Sequence, residues 1–148
     1  MAVNKMQNLT IHEILKMVAA KNAKADKVQV LKAYNCLALR DVLKGSFDDQ
    51  IQFLLPEGEP PYEPADPKSV PSSLNKQSRK FRYFAVGGPG ERMLKSKVET
   101  MYIGLLEAIH PEDAKLVIAM VNKQMTGKYR GLTKNVISEA FPNLLSSQ

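Results

Sequence analysis

Lys128-Tyr129-Arg130-Gly131-Leu132-Thr133-Lys134 sets three cations, a glycine and a hydroxyl within seven residues. That combination suits an anion. The glycine permits close approach of another group to the backbone, and Thr133 has the side chain of a helix N-cap. Free amides, the helix dipole and cationic side chains then converge on one phosphate. An ordinary turn between two helices fits the same residues. A second stretch, Arg79-Lys80-Phe81-Arg82-Tyr83-Phe84, interleaves bases with aromatics. Its cations suit phosphates and its rings suit stacking on exposed bases. The plainer reading places Phe81 and Phe84 in the core with only the charges in water, and for the rings it is preferred.

Catalytic patterns are missing from the sequence. Gly87-Gly88-Pro89-Gly90 invites a phosphate-loop reading, yet no G-x-x-x-x-G-K-[ST] occurs, and Met93 stands where G-x-G-x-x-G needs its third glycine. His12 and His110 form no H-E-x-x-H, and with the single cysteine, Cys36, they make no metal-ligand spacing. Cys36 lies in an apolar segment and reads as a small buried hydrophobe in a reducing compartment. No G-x-S-x-G elbow is present. The expectation is a protein that is not an enzyme and takes no cofactor or metal.

Charge is segregated along the chain. Of 148 residues, 21 are Lys or Arg and 15 are Asp or Glu, for a net +6. Residues 76–97 hold Lys76, Arg79, Lys80, Arg82, Arg92, Lys95 and Lys97 against one acid, Glu91. Residues 123–134 hold Lys123, Lys128, Arg130 and Lys134 with no acid, while residues 57–66 carry four acids and no base. Such separation raises the local potential and favours a polyanion. No apolar run approaches the ~20 residues that cross a membrane, and MAVNKMQNLTIHEI lacks an apolar leader.

The elements that must position these groups are helical. Thr10-Ile11-His12-Glu13 has the form of a capping box, followed by Ile11, Ile14, Leu15 and Val18 at helical spacing. A second helix is expected from near Asp26, with Val28, Leu31 and Tyr34 on one face. A third is expected over Asn35–Lys44, burying Leu39, Val42 and Leu43, with Gly45 as its cap. Ser46-Phe47-Asp48-Asp49 restarts a short helix through Ile51, Phe53 and Leu54. Residues 56–72 hold six of nine prolines and read as one long extended loop. A basic helix is expected over Ser73–Phe84, with Leu74, Phe81 and Phe84 inward. Pro89 opens the next helix, whose apolar stripe is Leu94, Val98, Met101, Leu105 and Ile109. His110 reads as a helix-start residue before Pro111, Glu112 and Asp113. Leu116, Val117, Met120 and Val121 are the buried face of that helix. A last one follows Thr133 and carries Val136, Ile137, Ala140 and Phe141. The fold class is therefore all-α: one domain over 1–148, with about six to eight helices and a proline-rich loop near residues 56–75.

Two motifs carry a resemblance. FLLPEGEPPY (53–62) and GLTKNVISEAFPNLL (131–145) resemble an uncharacterised family of small proteins from T4-like tailed phages, many of which infect marine cyanobacteria. More distantly, IHEILKMVAA, VLKAYNCLALRDVL and LLEAIHPEDAKLVIAMVNKQMTGKYRGLTKNVISEAFPNLL are similar to the N-terminal helical DNA-binding domain of T4-type ATP-dependent DNA ligases. That resemblance implies a ligase-like helical fold and a basic turn that grips the duplex backbone through Lys128, Arg130, Gly131, Thr133 and Lys134. The K-x-D-G lysine on which ligases form their adenylate is absent, and residues 56–92 have no counterpart.

The expectation is a non-catalytic phage module for replication, repair or recombination in the host cytoplasm. It would hold double-stranded DNA with residues 128–134 and Lys123, and with Arg79, Lys80, Arg82, Arg92, Lys95 and Lys97 of the first basic segment. The alternative is an accessory factor that binds a phage or host machine, such as a sliding clamp or RNA polymerase. Tyr62 or the C-terminal Phe141-Pro142-Asn143-Leu144-Leu145 would then be the contact. A minor virion component is the third reading.

Overall fold

A computed structural model describes residues 9–145 of the chain. The opening stretch MAVNKMQNLTIHEI, read above for a leader, lies largely outside them. Eight α-helices form among the described residues: α1 (Ile11–Ala20), α2 (Lys24–Ala33), α3 (Leu37–Phe47), α4 (Leu74–Gln77), α5 (Lys95–Ala108), α6 (Pro111–Val121), α7 (Met125–Lys128) and α8 (Lys134–Ala140). Two 3-10 segments, Ser78–Tyr83 and Pro89–Arg92, stand between α4 and α5. No strand occurs among the described residues; Phe53 and Ala85 make one isolated antiparallel bridge. The expected all-α class is the observed one.

Local capping explains several helix starts. Thr10 N donates to Glu13 Oε1 at 2.9 Å, closing the first turn of α1. Helix α6 starts with Pro111 at its first position, where the missing N–H costs nothing, and His110 Nδ1 accepts from Glu112 N at 3.0 Å. Helix α8 starts at Thr133, whose Oγ1 accepts from Val136 N at 3.4 Å. Packing supplies the rest of the stability. Helices α1 and α2 pack together, α2 meets α8, and α3 and α5 both pack on α6. Their apolar faces form one core that includes Leu15, Leu31, Leu39, Leu43, Leu105, Leu106, Leu116 and Met120, each fully buried.

Four expectations are corrected by tertiary structure. Gly45 is not a helix cap: α3 runs through it to Phe47, and Gly45 is buried. A Cβ there would stand 2.7 Å from Met120 Sδ and 3.2 Å from Phe53 Cζ, so the glycine lets α3 press against α6. Residues 51–54 do not restart a helix. They run extended beside residues 84–86, with Leu54 N donating to Phe84 O and Val86 N to Gln52 O, each at 2.7 Å. Leu94 does not join the stripe of α5. It precedes the helix with ψ 136 and is 75% exposed, while Tyr102 and Leu106 join Val98, Leu105 and Ile109 inside. Pro89 opens the 3-10 turn rather than α5.

The basic segment forms one turn of α4 and then 3-10 helix, with Leu74, Phe81 and Phe84 inward as expected. Full burial of Phe84 contributes roughly 1.5–3 kcal/mol. The proline-rich loop has no regular structure over 56–72, but it is fastened. Gly58 N donates to Asn122 Oδ1 at 2.9 Å, Glu63 N to Glu107 Oε2 at 2.8 Å, and Ser72 N to Ala108 O at 2.7 Å.

Candidate nucleic-acid interface

The glycines of Gly87-Gly88-Pro89-Gly90 serve packing. Only Gly87 of the three needs positive φ, at 88°. A Cβ on Gly88 would lie 2.2 Å from Arg82 O, and one on Gly90 1.8 Å from Tyr83 O. The second 3-10 segment is thus pressed backbone-to-backbone on the first. This fixes Arg79, Lys80 and Arg82 relative to Arg92.

The first basic segment is electrostatically open. Lys76, Arg79, Lys80, Arg82, Arg92, Lys95 and Lys97 make no ion pair among the described residues, and all but half-buried Lys80 are exposed. Arg82 Cζ lies 5.2 Å from the ring centre of its neighbour Tyr83, a cation–π contact at the surface.

The second segment is dispersed among different partners. Lys134 Nζ bonds the Asp49 carboxylate. Lys123, with φ 56, turns its ammonium back to Gly45 O at 2.6 Å and Asp48 O at 3.3 Å. Burial of that ammonium holds it below the usual lysine range, against the opposing pull of Asp49 and Asp48. Lys128 lies 5.6 Å over the Tyr129 ring, and its charge helps hold Glu112 below the usual carboxylate range, after the larger effect of the Lys115 hydrogen bond. Gly131 has φ 81, and the space a Cβ would take is filled by Lys27 Cε and Nζ, 2.8 Å away. Buried Lys27 donates to Val18 O at 3.1 Å and Lys21 O at 2.6 Å, closing the C-terminus of α1. The close approach that Gly131 permits is therefore made by a lysine of this chain. Thr133 caps α8, and Arg130 is exposed with no ion pair among the described residues.

Residues 44–53 join the two segments. Asp48 and Asp49 hold Lys123 and Lys134 from one side. On the other, Gly45, Ile51 and Phe53 line a cavity of about 210 Å³ with Arg79 and Arg82. Phe53 belongs to both halves, because Lys123 Nζ lies 5.4 Å from its ring centre. Leu54 and Leu55 continue to a further hollow shared with Lys95. Lys123, Lys134, Arg79, Arg82 and Lys95 thus flank one stretch, residues 49–55: a turn at 49–50 followed by the extended strip.

A polar cluster had no signal in the sequence. Buried Asp113 accepts from His12 N at 2.9 Å, and its Oδ1 is also 2.9 Å from His12 Nδ1. The His12 and His110 rings stack with centroids 4.6 Å apart. His110 takes the helix-start role read from the sequence; the Asp113–His12 bonds tie the starts of α6 and α1 together. Their partners are a hundred residues apart, which no local pattern reveals.

No helix of the described residues is long and apolar enough to cross a membrane. No curated protein matches the chain. A family model matches residues 14–127, a span that takes in the cavity, the first basic segment and Lys123 but stops before Lys128. The chain belongs to that family, DUF6433, a family of unknown function.

Proposed function

We propose that the chain is a non-catalytic DNA-binding module that holds duplex DNA by its phosphates with little sequence preference. The supporting observation is the set of seven unpaired cations over residues 76–97, six of them exposed, beside a strip that also gathers Lys123 and Lys134. Surface cations that make no ion pair stay available to a polyanion and release counterions when they meet phosphate. In this reading Arg79, Lys80, Arg82, Arg92, Lys95 and Lys97 supply most contacts. Lys123, Lys134 and Arg130 extend the track, and Lys128, Gly131 and Thr133 form the turn that carries them. The distant similarity to ligase DNA-binding domains agrees with the all-α fold, and the phage-like motifs suggest a role in phage replication, repair or recombination inside the host.

The test is a salt titration of binding to a duplex of arbitrary sequence. Affinity is expected to fall linearly on a log–log scale, with a slope set by the number of phosphates neutralised. Absence of binding at low salt would overturn the reading.

A second reading, docking on another protein, draws on Leu94. It is 75% exposed beside Arg92, Lys95 and Lys97, an apolar tip within a charged surface. The apolar groups first considered for that role are less available: Leu145 is buried, and Tyr62, Phe141 and Leu144 pack against the core. Capture of one stoichiometric protein after nuclease treatment, lost on Leu94→Asp, would favour it.

A further inference from the structure

The cavity at the centre of the basic strip has a composition of its own. Helix α3 presents Asp41 and Gly45 on one face, four residues apart. The first 3-10 segment supplies Ser78 and Phe81, and the extended strip supplies Ile51 and Phe53. Its walls are thus mainly apolar and aromatic. Arg79 and Arg82 are exposed residues and mark its mouth.

Lys44 also lines the space, with its ammonium paired to Asp48 and bonded to Leu144 O; Ser78 and Asp41 are the other polar groups inside the mouth. Ser78 is 2% exposed; its Oγ lies near the Asp41 carboxyl and pulls on it, but makes no hydrogen bond of ordinary geometry. A buried hydroxyl held only by one poorly aligned carboxyl is under-satisfied and is suited to a ligand that supplies a further bond. Asp41 is half-buried beside it. At about 210 Å³ the hollow is smaller than the ~300–1,000 Å³ typical of sites for drug-sized ligands. It suits one ring system, with any attached charge left outside. A planar ring with N–H donors, tethered to an anion, satisfies all of these features: the aromatic walls, the inner carboxyl and hydroxyl, and the guanidinium groups at the mouth.

We propose that this cavity receives one unpaired nucleobase of a DNA strand whose phosphates lie on Arg79 and Arg82. This rests on the DNA-binding reading above and refines it: the module prefers DNA with an extruded or unpaired base. Phe53 and Phe81 contact the ring, and Asp41 accepts N–H groups from its pairing edge. Guanine is the favoured base because it offers two adjacent N–H donors there. Ser78 has an acceptor and a donor to spend on the same edge.

The experiment uses the full chain and three duplexes of one sequence: fully paired, with one unpaired guanine, and with an abasic unit in place of that guanine. Affinities are read by fluorescence anisotropy at fixed salt. The expected result is about tenfold tighter binding to the unpaired guanine than to either control, a typical effect of seating one base on aromatic side chains. Asp41→Asn should bring the guanine-to-abasic ratio down severalfold, and Ala85→Leu, which enlarges a side chain of the cavity wall, should bring it to about one. Circular dichroism melts check that each variant folds. Equal affinity for all three duplexes overturns this proposal, leaves duplex binding standing and makes a partner's side chain the better occupant. A guanine preference that survives both folded variants overturns the assignment to this cavity. Absence of binding to every duplex removes the DNA reading itself.

Discussion

Lys123 reaches back across the start of the extended strip to place its ammonium 5.4 Å from the centre of the Phe53 ring while donating to Gly45 O. The contact spans two distant parts of the chain, and the backbone meets it with a φ of 56 at a non-glycine residue. Removing the side chain loses two charge-assisted hydrogen bonds, so Lys123→Ala should cost about 2 kcal/mol. Glycine accepts that φ without the Cβ penalty, so Lys123→Gly should be less destabilised than Lys123→Ala by about 1 kcal/mol. Urea melts of the two variants check the order. The reverse order would mean that the left-handed backbone carries no strain.

Arg79→Ala and Arg82→Ala should each weaken duplex binding and flatten the salt slope by about one unit, as removal of one phosphate contact does. Arg130→Ala should do the same if the track extends that far. Asp49→Asn should act in the opposite direction, because it removes the acid that holds Lys134 and lies close to Lys123. Its effect on stability should be small, since the pair is exposed. Tighter binding in Asp49→Asn at low salt, fading at high salt, is the expected pattern.

Gly90→Ala tests whether the glycine cluster serves packing. The new methyl carbon would meet the Tyr83 carbonyl at 1.8 Å, and a backbone oxygen cannot move aside as a side-chain end can. Loss of about 3 kcal/mol is expected, at the upper end of ordinary overpacking. For a chain of this size the melting temperature should fall by about 6–12 °C. Gly58→Ala sits in open space at φ 93 and should cost less. If Gly90→Ala melts with the parent protein, the two 3-10 segments are not pressed together as described.

Asp41 gives a pH prediction. Burial pushes its carboxyl above the usual aspartate range, and the opposing pull of Ser78 and Arg40 is smaller. The folded state therefore binds its proton more tightly than the unfolded chain does. This contribution favours the fold at low pH and is lost as pH rises through the folded value. At neutral pH the ionised carboxyl is a cost, so Asp41→Asn should raise stability at pH 7. The gain should shrink toward zero below the aspartate range. Chemical denaturation at pH 7 and pH 3 measures both ends. An Asn variant that is less stable at pH 7 would show that the carboxylate is well paired.

Local chemistry explains what the sequence could show. Thr10, Pro111 and Thr133 mark helix starts because a cap acts on its own first turn. Gly45 misleads because a capping glycine and a close-packing glycine look alike until Met120 is brought against it. Leu94 has the right spacing for the stripe of α5, but the 3-10 turn before it sends the backbone elsewhere. In the candidate site, charge density was legible and charge availability was not. The KYRGLTK turn reads as the sharper phosphate site, yet Asp49 and Lys27, both far off in sequence, occupy Lys134 and the space at Gly131. The cavity could not be foreseen, since its walls come from α3, the strip and the first 3-10 segment.

The fastened proline loop sets how the chain behaves when cut. Lys68 sits in an exposed turn, between the tie at Glu63 and the one at Ser72. The helix pairs α2–α8 and α3–α6 each join residues from opposite sides of that point. Neither piece owns a whole core, so a single nick after Lys68 should leave two fragments held together by these helix contacts.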